Sequence, residues 1–488
     1  SAEPAATPAP AAPVDASAPM AAPPVAAAPA NALGWQSGLT GIPLSLQANQ
    51  QAMLALASEQ TQPDELRVSL RTGDAPATAY RTLGGDVGAS APGGRPDAGT
   101  AIRALDQRLD GVKRQASYRV QSAAPRQLGD TEPVWVIATT DGDAVGDRRI
   151  TARTAYVGER CDVLVDAAVG TAIDERARAL GTAFDGGIWD TDTRLFGEPR
   201  PVGARGTRVT LVVSPEVGNH GQDGTLGYFT ARDLFSPADA PNEAFLQHSN
   251  QGAYLYMADR VVGRGEPVEY LGTLAHEFQH LISATHKLYG QAARQETLWL
   301  NEAMSMYAMA ANGYGMPDGS RVIASHVGEY LAAPERFSLT RWDLNPSRSG
   351  YGVGYLFATY LVERVGEGVL KELVASPQTG IANLDARLAA HGTSFRQLFR
   401  DWVAATMLDG RGHGGIHEYR TLDLQGAYGG RQLTGVRMAA VDLPNAGRVP
   451  VLPHSASFLL LRGAAGGAFS LDVAGRKADQ LGAFLAPR

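Results

Sequence analysis

Apolar positions recur every three to four residues in some stretches of this chain and every second residue in others, and the change of period maps its elements. In LGTLAHEFQHLISATHK, Leu271, Leu274, Phe278, Leu281 and Ile282 fall on one side of a helix. WLNEAMSMYA repeats the helical spacing, and YGVGYLFATYLVERVG, EGVLKELVAS, ANLDARLAAHG and SFRQLFRDWVAATML extend it into a helical subdomain. Between the last two, Gly392 and then Thr393-Ser394 supply a C-cap followed by an N-cap.

The two-residue period governs the rest. PVWVIATT, ITARTAYV and CDVLVDAA predict strands, the last two joined by the tight turn GER. A helix is expected at 171–184, and GTRVTLVVS and AYLYMA add two strands before the helix that begins near Leu271. Short strands return at both ends, with ELRVSLRT and ASYRVQ early and ASFLLLRG and AFSLDVAG late, while GGDVGASAPGGRPDAGT interrupts the early ones. The pattern predicts an α+β chain with a linker at 1–32, a β-rich module at 33–131, a main domain at 132–429 and a small β module at 430–488. The main domain divides into sheet and site helices at 132–310 and helices at 311–429. No chemistry is legible in 33–131.

Composition narrows the function classes. A net charge of -7 without any run of Lys or Arg offers neither a nucleic-acid footprint nor a polybasic membrane patch. The single cysteine, Cys161, excludes an intrachain disulfide framework and sits in a strand as a small buried hydrophobe. No apolar run approaches the ~20 residues of a membrane-spanning helix. All but eight of the first thirty residues are Ala or Pro, the composition of an extended spacer. That arm is expected to remain after removal of an export signal and to tether the protein, through lipid or at the cell surface, outside the cytoplasm.

The candidate chemistry lies in His276-Glu277-Phe278-Gln279-His280, an H-E-x-x-H pattern. On a helix His276 and His280 stand one turn apart on one face, where both imidazoles reach a single ion, with Glu277 beside them. Two residues compete for the third ligand. Glu302 lies on the next helix. His286 holds the last position of the longer H-E-x-x-H-x-x-G-x-x-H motif, but Ser283 replaces the glycine that would turn the chain back, and a continuing helix carries His286 about 80° around and away from the ion.

Asn301-Glu302-Ala303, with Ser305 two residues on, follows H-E-x-x-H at a distance that resembles the gluzincin clan. With GYFTARDLF and YLYM ahead of it, the pair is more closely similar to the hyicolysin family of bacterial neutral metallopeptidases, over roughly 133–408. The resemblance implies a thermolysin-like catalytic domain and an exported zinc endopeptidase acting on polypeptides, with His276, His280 and Glu302 as zinc ligands and Glu277 as general base. Two histidines and a carboxylate leave a fourth tetrahedral position for water, and Glu277 would accept the proton and pass it to the leaving amine. It also implies that the strand at 253–258 borders the cleft and pairs with an extended substrate. Tyr351, in Tyr351-Gly352-Val353-Gly354, resembles the oxyanion-stabilising tyrosine of the clan's aminopeptidases; Tyr355 and His326 are alternatives. One departure stands out: the Asp that follows N-E-A-x-S in thermolysin, where it orients a ligand histidine, is Met306 here.

Asp190 and Asp192 in WDTDTR are expected in a solvated loop, too few to hold calcium, and His413 and His417 lie in the glycine-rich RGHGGIHE. His220 and His248 sit in polar segments. The competing reading is a cell-surface binding protein on a catalytically weak peptidase scaffold.

Overall fold

The computed structural model describes residues 33–36, 38–72, 81–83, 98–113, 123–141, 144–218, 225–291, 293–346 and 350–488. The Pro/Ala arm, the expected strand ASYRVQ and His220 lie outside these residues. The chain opens with strands β1 (Gly34–Trp35), β2 (Ile42–Leu46), β3 (Gln50–Ser58), β4 (Asp64–Arg71) and β5 (Arg81–Thr82), followed by helix α1 (Ala98–Asp106). Next come β6 (Thr131–Asp141), β7 (Ala144–Val157), β8 (Cys161–Asp166), α2 (Asp174–Ala183), α3 (Trp189–Phe196), β9 (Val209–Ser214), β10 (Gly227–Phe229) and β11 (Tyr254–Ala258). Helices α4 (Asp259–Arg264), α5 (Pro267–His286), α6 (Leu298–Ala311), α7 (Arg321–Ala332), α8 (Tyr351–Val365), α9 (Gly368–Ala375), α10 (Gly380–Leu388) and α11 (Phe395–Leu408) follow. Strands β12 (Ala427–Tyr428), β13 (Arg431–Gln432), β14 (Ala439–Asp442), β15 (Asn445–Val451), β16 (Ser455–Gly463), β17 (Gly467–Ala474) and β18 (Leu481–Pro487) close the chain. It is a mixed α+β protein.

The main sheet has the order β10-β11-β9-β8-β7-β6. Its center is parallel, β8 on β9 and β9 on β11, and its flanks are antiparallel. Continuous apolar runs such as VTLVVS and YLYMA are buried at every position, as strands covered on both faces must be. Helix α2 packs on β7 and β8, and α5 lies against β10 and β11. Cys161 is fully buried in β8, in keeping with its reading as a small core residue.

The helical region forms as its periodicity predicts. Gly392 adopts a left-handed conformation (φ 69°), and Ser394 caps α11 by accepting from the Gln397 amide at 3.2 Å. Helix α8 crosses α6 closely because Gly354 faces Ala303: a Cβ at Gly354 would sit 3.4 Å from the Ala303 Cα. That approach carries the N-terminus of α8 toward the histidine helix.

Three expectations change. The β-rich ends do not form separate modules: β1, β3, β14, β16 and β18 make one sheet, and β2, β4, β5, β15 and β17 make a second, so the two ends interleave in a single sandwich. Neither end alone can satisfy its strand edges, which is why they meet. In β3 the two-residue alternation sends Leu54 and Leu56 into the sandwich and Met53, Ala55 and Ala57 toward the main body, where α11 packs on the strand. Second, WDTDTR is helix α3 rather than a loop, since Trp189, Leu195 and Phe196 bury one face; Asp192 is buried with them and accepts from Asn312 Nδ2 at 2.7 Å. Third, β11 cannot pair with a substrate: β9 and β10 occupy both of its edges, leaving no free hydrogen-bonding edge. Edge position belongs to β10.

Candidate metal centre

Helix α5 starts on Pro267, whose missing amide costs nothing in the first turn, and is buried over nearly its whole length. His276 and His280 project from one face of it toward α6, which packs alongside and contributes Glu302. The three side chains are 8, 1 and 1% exposed, respectively. His276 Nε2 lies 3.1 Å from His280 Nε2, and Glu302 Oε2 lies 3.1 Å from the first and 3.4 Å from the second. An ion held at ~2.0–2.1 Å by tetrahedral ligands separates them by about 3.4 Å. The triangle is close to that size.

Its electrostatics suit a cation. Glu302 Oε2 is buried and receives no well-aligned hydrogen bond, so it is an orphan that a cation between the imidazoles would satisfy. Burial opposes the Glu302 charge, yet His280 and His276 outweigh it and hold this carboxylate well below the usual range. Burial, then Arg103, press His280 below its ordinary value, favouring the neutral imidazole that offers a lone pair. Ser305 Oγ lies 3.1 Å from Nδ1 and 3.3 Å from Nε2 of His280, a position over the ring rather than in line with its outer nitrogen. Met306 is 3% exposed and packs in the core.

Arg103 is the site residue that sequence reasoning missed. It stands on α1, 174 positions before Glu277, and donates from Nη2 to Glu277 Oε2 at 2.7 Å and from Nη1 to the Phe229 carbonyl. Its Nε lies 3.8 Å from Glu302 Oε1. Burial alone would lower the Arg103 pKa, but Glu277, Glu302 and Asp106 raise it and keep the guanidinium charged. The Phe229 amide donates to the same Glu277 oxygen at 2.8 Å. The available signal was the helical spacing of Ile102, Leu105 and Leu109, all buried in the main core. It foretells α1, but a long-range partner leaves no mark in local spacing.

This chain is similar to a neutral metalloprotease. Over 257 residues it is 28% identical to "Neutral metalloprotease ShpI" of Staphylococcus hyicus, a match covering 50% of this chain and 55% of that protein. The chain therefore spans about half the length of the curated relative. No family profile matches the sequence. Among solved structures, yeast LTA4 hydrolase in complex with bestatin aligns over 53% of this chain and 42% of its own at 11% identity and a TM-score of 0.33. The native form gives 12% identity and 0.34 over 56% of this chain and 44% of its own.

The remaining candidates disperse. His286 ends α5 with its Nε2 2.7 Å from the Glu198 carbonyl oxygen, outside the metal-sized cluster. Tyr351, the first residue of α8, does stand at the site: its ring centroid is 6.1 Å from that of His276, 5.2 Å from His326 and 5.1 Å from Trp342. Tyr355, one turn further along α8, is 1% exposed and belongs to the core. His248 stacks on Trp135 at 4.0 Å and contacts Asp147, away from the cluster. Among the described residues no helix is long and apolar enough to cross a membrane.

Proposed function

We propose that the chain is a zinc-dependent endopeptidase on a thermolysin-like catalytic domain, acting on polypeptides outside the cytoplasm, where the Pro/Ala arm would serve as a spacer. The observation that carries this reading is the buried His276, His280 and Glu302 triangle, sized for a tetrahedral ion, with the Glu277 carboxylate beside it. Similarity to a neutral metalloprotease over half the chain supports it. Two imidazoles and one carboxylate are a donor set suited to zinc, with a fourth position open.

Zinc, when bound, supplies a Lewis acid and an acidified water. Glu277 is proposed as the general base, which would take a proton from the attacking water and return it to the leaving nitrogen as the C–N bond breaks. Tyr351 is proposed to donate a hydrogen bond to the carbonyl oxygen as it gains charge. An extended substrate would pair with β10. Phe229 turns its N–H and C=O away from β11, toward Glu277 and Arg103, so Gly227, two residues earlier, directs its own polar groups to the same side of the strand.

The test is casein hydrolysis by the parent and by Glu277→Ala, with metal analysis of both. Turnover is expected to fall about 1,000-fold while zinc stays near one ion per chain. Undiminished turnover by Glu277→Ala, or a parent without stoichiometric zinc, would sink the proposal.

A further inference from the structure

Glu277 is held asymmetrically. Its Oε2 accepts from the Phe229 amide at 2.8 Å and from Arg103 Nη2 at 2.7 Å, while Oε1 has no hydrogen-bond partner among the described residues. The same guanidinium is fixed at a second point by the Phe229 carbonyl and faces Glu302 with its Nε, which has no hydrogen-bond partner among the described residues. Arg103 thus bridges the backbone of the sheet edge, the carboxylate beside the metal triangle and one of the three ligands.

We propose that Arg103 is a positioning residue: it locks one oxygen of Glu277 and leaves Oε1 as the proton acceptor, while standing behind Glu302 as its outer partner. The inference rests on Glu277 being the general base. A carboxylate on two rotatable side-chain bonds beyond Cβ would otherwise sample several orientations, and catalysis needs one.

Arg103 is part of the body rather than a detachable cover. Ile102 and Leu105 on its helix, and Leu109 in the 3-10 turn that follows it, are buried in the main core. Asp106 accepts from Thr230 Oγ1 and from the Ala231 amide, both at 2.8 Å. Just beyond, Asp110 accepts from the Gln295 amide at 2.9 Å and the Gly111 amide donates to the Ala293 carbonyl at 2.6 Å. These ties fix the guanidinium against the residues just after β10 and just before α6.

The test uses the full chain with Arg103→Gln, Arg103→Lys and Glu277→Ala, measuring kcat and KM on a fluorogenic peptide, zinc affinity by chelator competition, and thermal melting. For Arg103→Gln, kcat is expected to fall about 100-fold with KM within about twofold, and Arg103→Lys to recover part of the loss. Zinc affinity is expected to weaken about tenfold, as loss of an outer-shell partner does. A folded, zinc-loaded Arg103→Gln with unchanged or higher kcat overturns the inference, provided Glu277→Ala is inactive. If Glu277→Ala keeps its turnover, the base reading fails first and takes this one with it. A readout independent of activity is the crystal structure of Arg103→Gln: Glu277 is expected to leave the Phe229 amide or occupy two rotamers, and a carboxylate that has not moved overturns the proposal whatever the kinetics.

Discussion

At the scale of single residues, the site depends on which charges are buried and what each one faces. Glu302 is 1% exposed, its Oε2 faces two imidazole nitrogens and its Oε1 faces Arg103, so its charge is sustained by that company. Replacing it by glutamine removes the charge and offers an N–H where an acceptor is needed. Glu302→Gln is therefore expected to weaken zinc binding by more than the ~100-fold that an outer-shell loss can cost, measured by competition with a chromophoric chelator. Unchanged affinity would move the third ligand elsewhere. The H-E-x-x-H pair was legible because helix geometry makes four-residue spacing a spatial statement, whereas Glu302 came from the resemblance of its N-E-A-x-S surroundings to a known clan. Arg103 was not, because nothing in AIRALD says that the arginine on that helix will meet a glutamate 174 positions away.

Elements bring these residues together through close crossings and capped ends. A Cβ at Gly352 would lie 2.2 Å from the His326 carbonyl oxygen, a backbone atom of α7 that cannot swing aside. Gly352→Ala should force α8 away from α7, lower the unfolding free energy by about 2 kcal/mol in a denaturant titration, and raise KM or lower kcat by displacing Tyr351. Stability unaffected by the alanine would mean that α8 does not need this contact. His454, at the turn between β15 and β16, joins the sandwich to the helices: its Nδ1 lies 2.9 Å from Thr340 Oγ1, and its carbonyl accepts from the Leu339 amide at 3.0 Å. Burial lowers its pKa from 6.5 to about 4. The unfolded chain therefore takes up the proton first as pH falls, so this histidine's contribution is complete above 6.5 and is lost toward 4, by roughly 3 kcal/mol. Melting curves across that interval should show the decline, and His454→Gln should flatten it.

At the scale of the whole molecule, the interleaved sandwich makes the two ends of the chain interdependent. Nine residues of β16 pair with β3 and seven of β18 pair with its other edge, so deleting 439–488 strips both sides of β3. The truncated chain is expected to lose its cooperative transition or to aggregate, which circular dichroism and size-exclusion chromatography would show; a truncated chain that melted like the parent would make the late strands dispensable. Metal removal is expected to act at this scale too, because an ion held by His276, His280 and Glu302 would tie α5 to α6. A chelator should abolish peptide hydrolysis and lower the melting temperature, with recovery on adding zinc.

The sequence alone determined the elements whose signal is local: the helices with apolar residues at three and four, the buried central strands, the Gly392 and Ser394 caps, and the histidine pair one turn apart on a helix. Each follows from the geometry of a single segment. The tertiary structure decided what depends on distant segments meeting: the shared sandwich, the placement of β10 rather than β11 at the sheet edge, the burial of Asp192, and the arrival of Arg103 beside Glu277. Strand edges and buried charges must find partners, but the chain's local pattern records only the need and not which residue meets it.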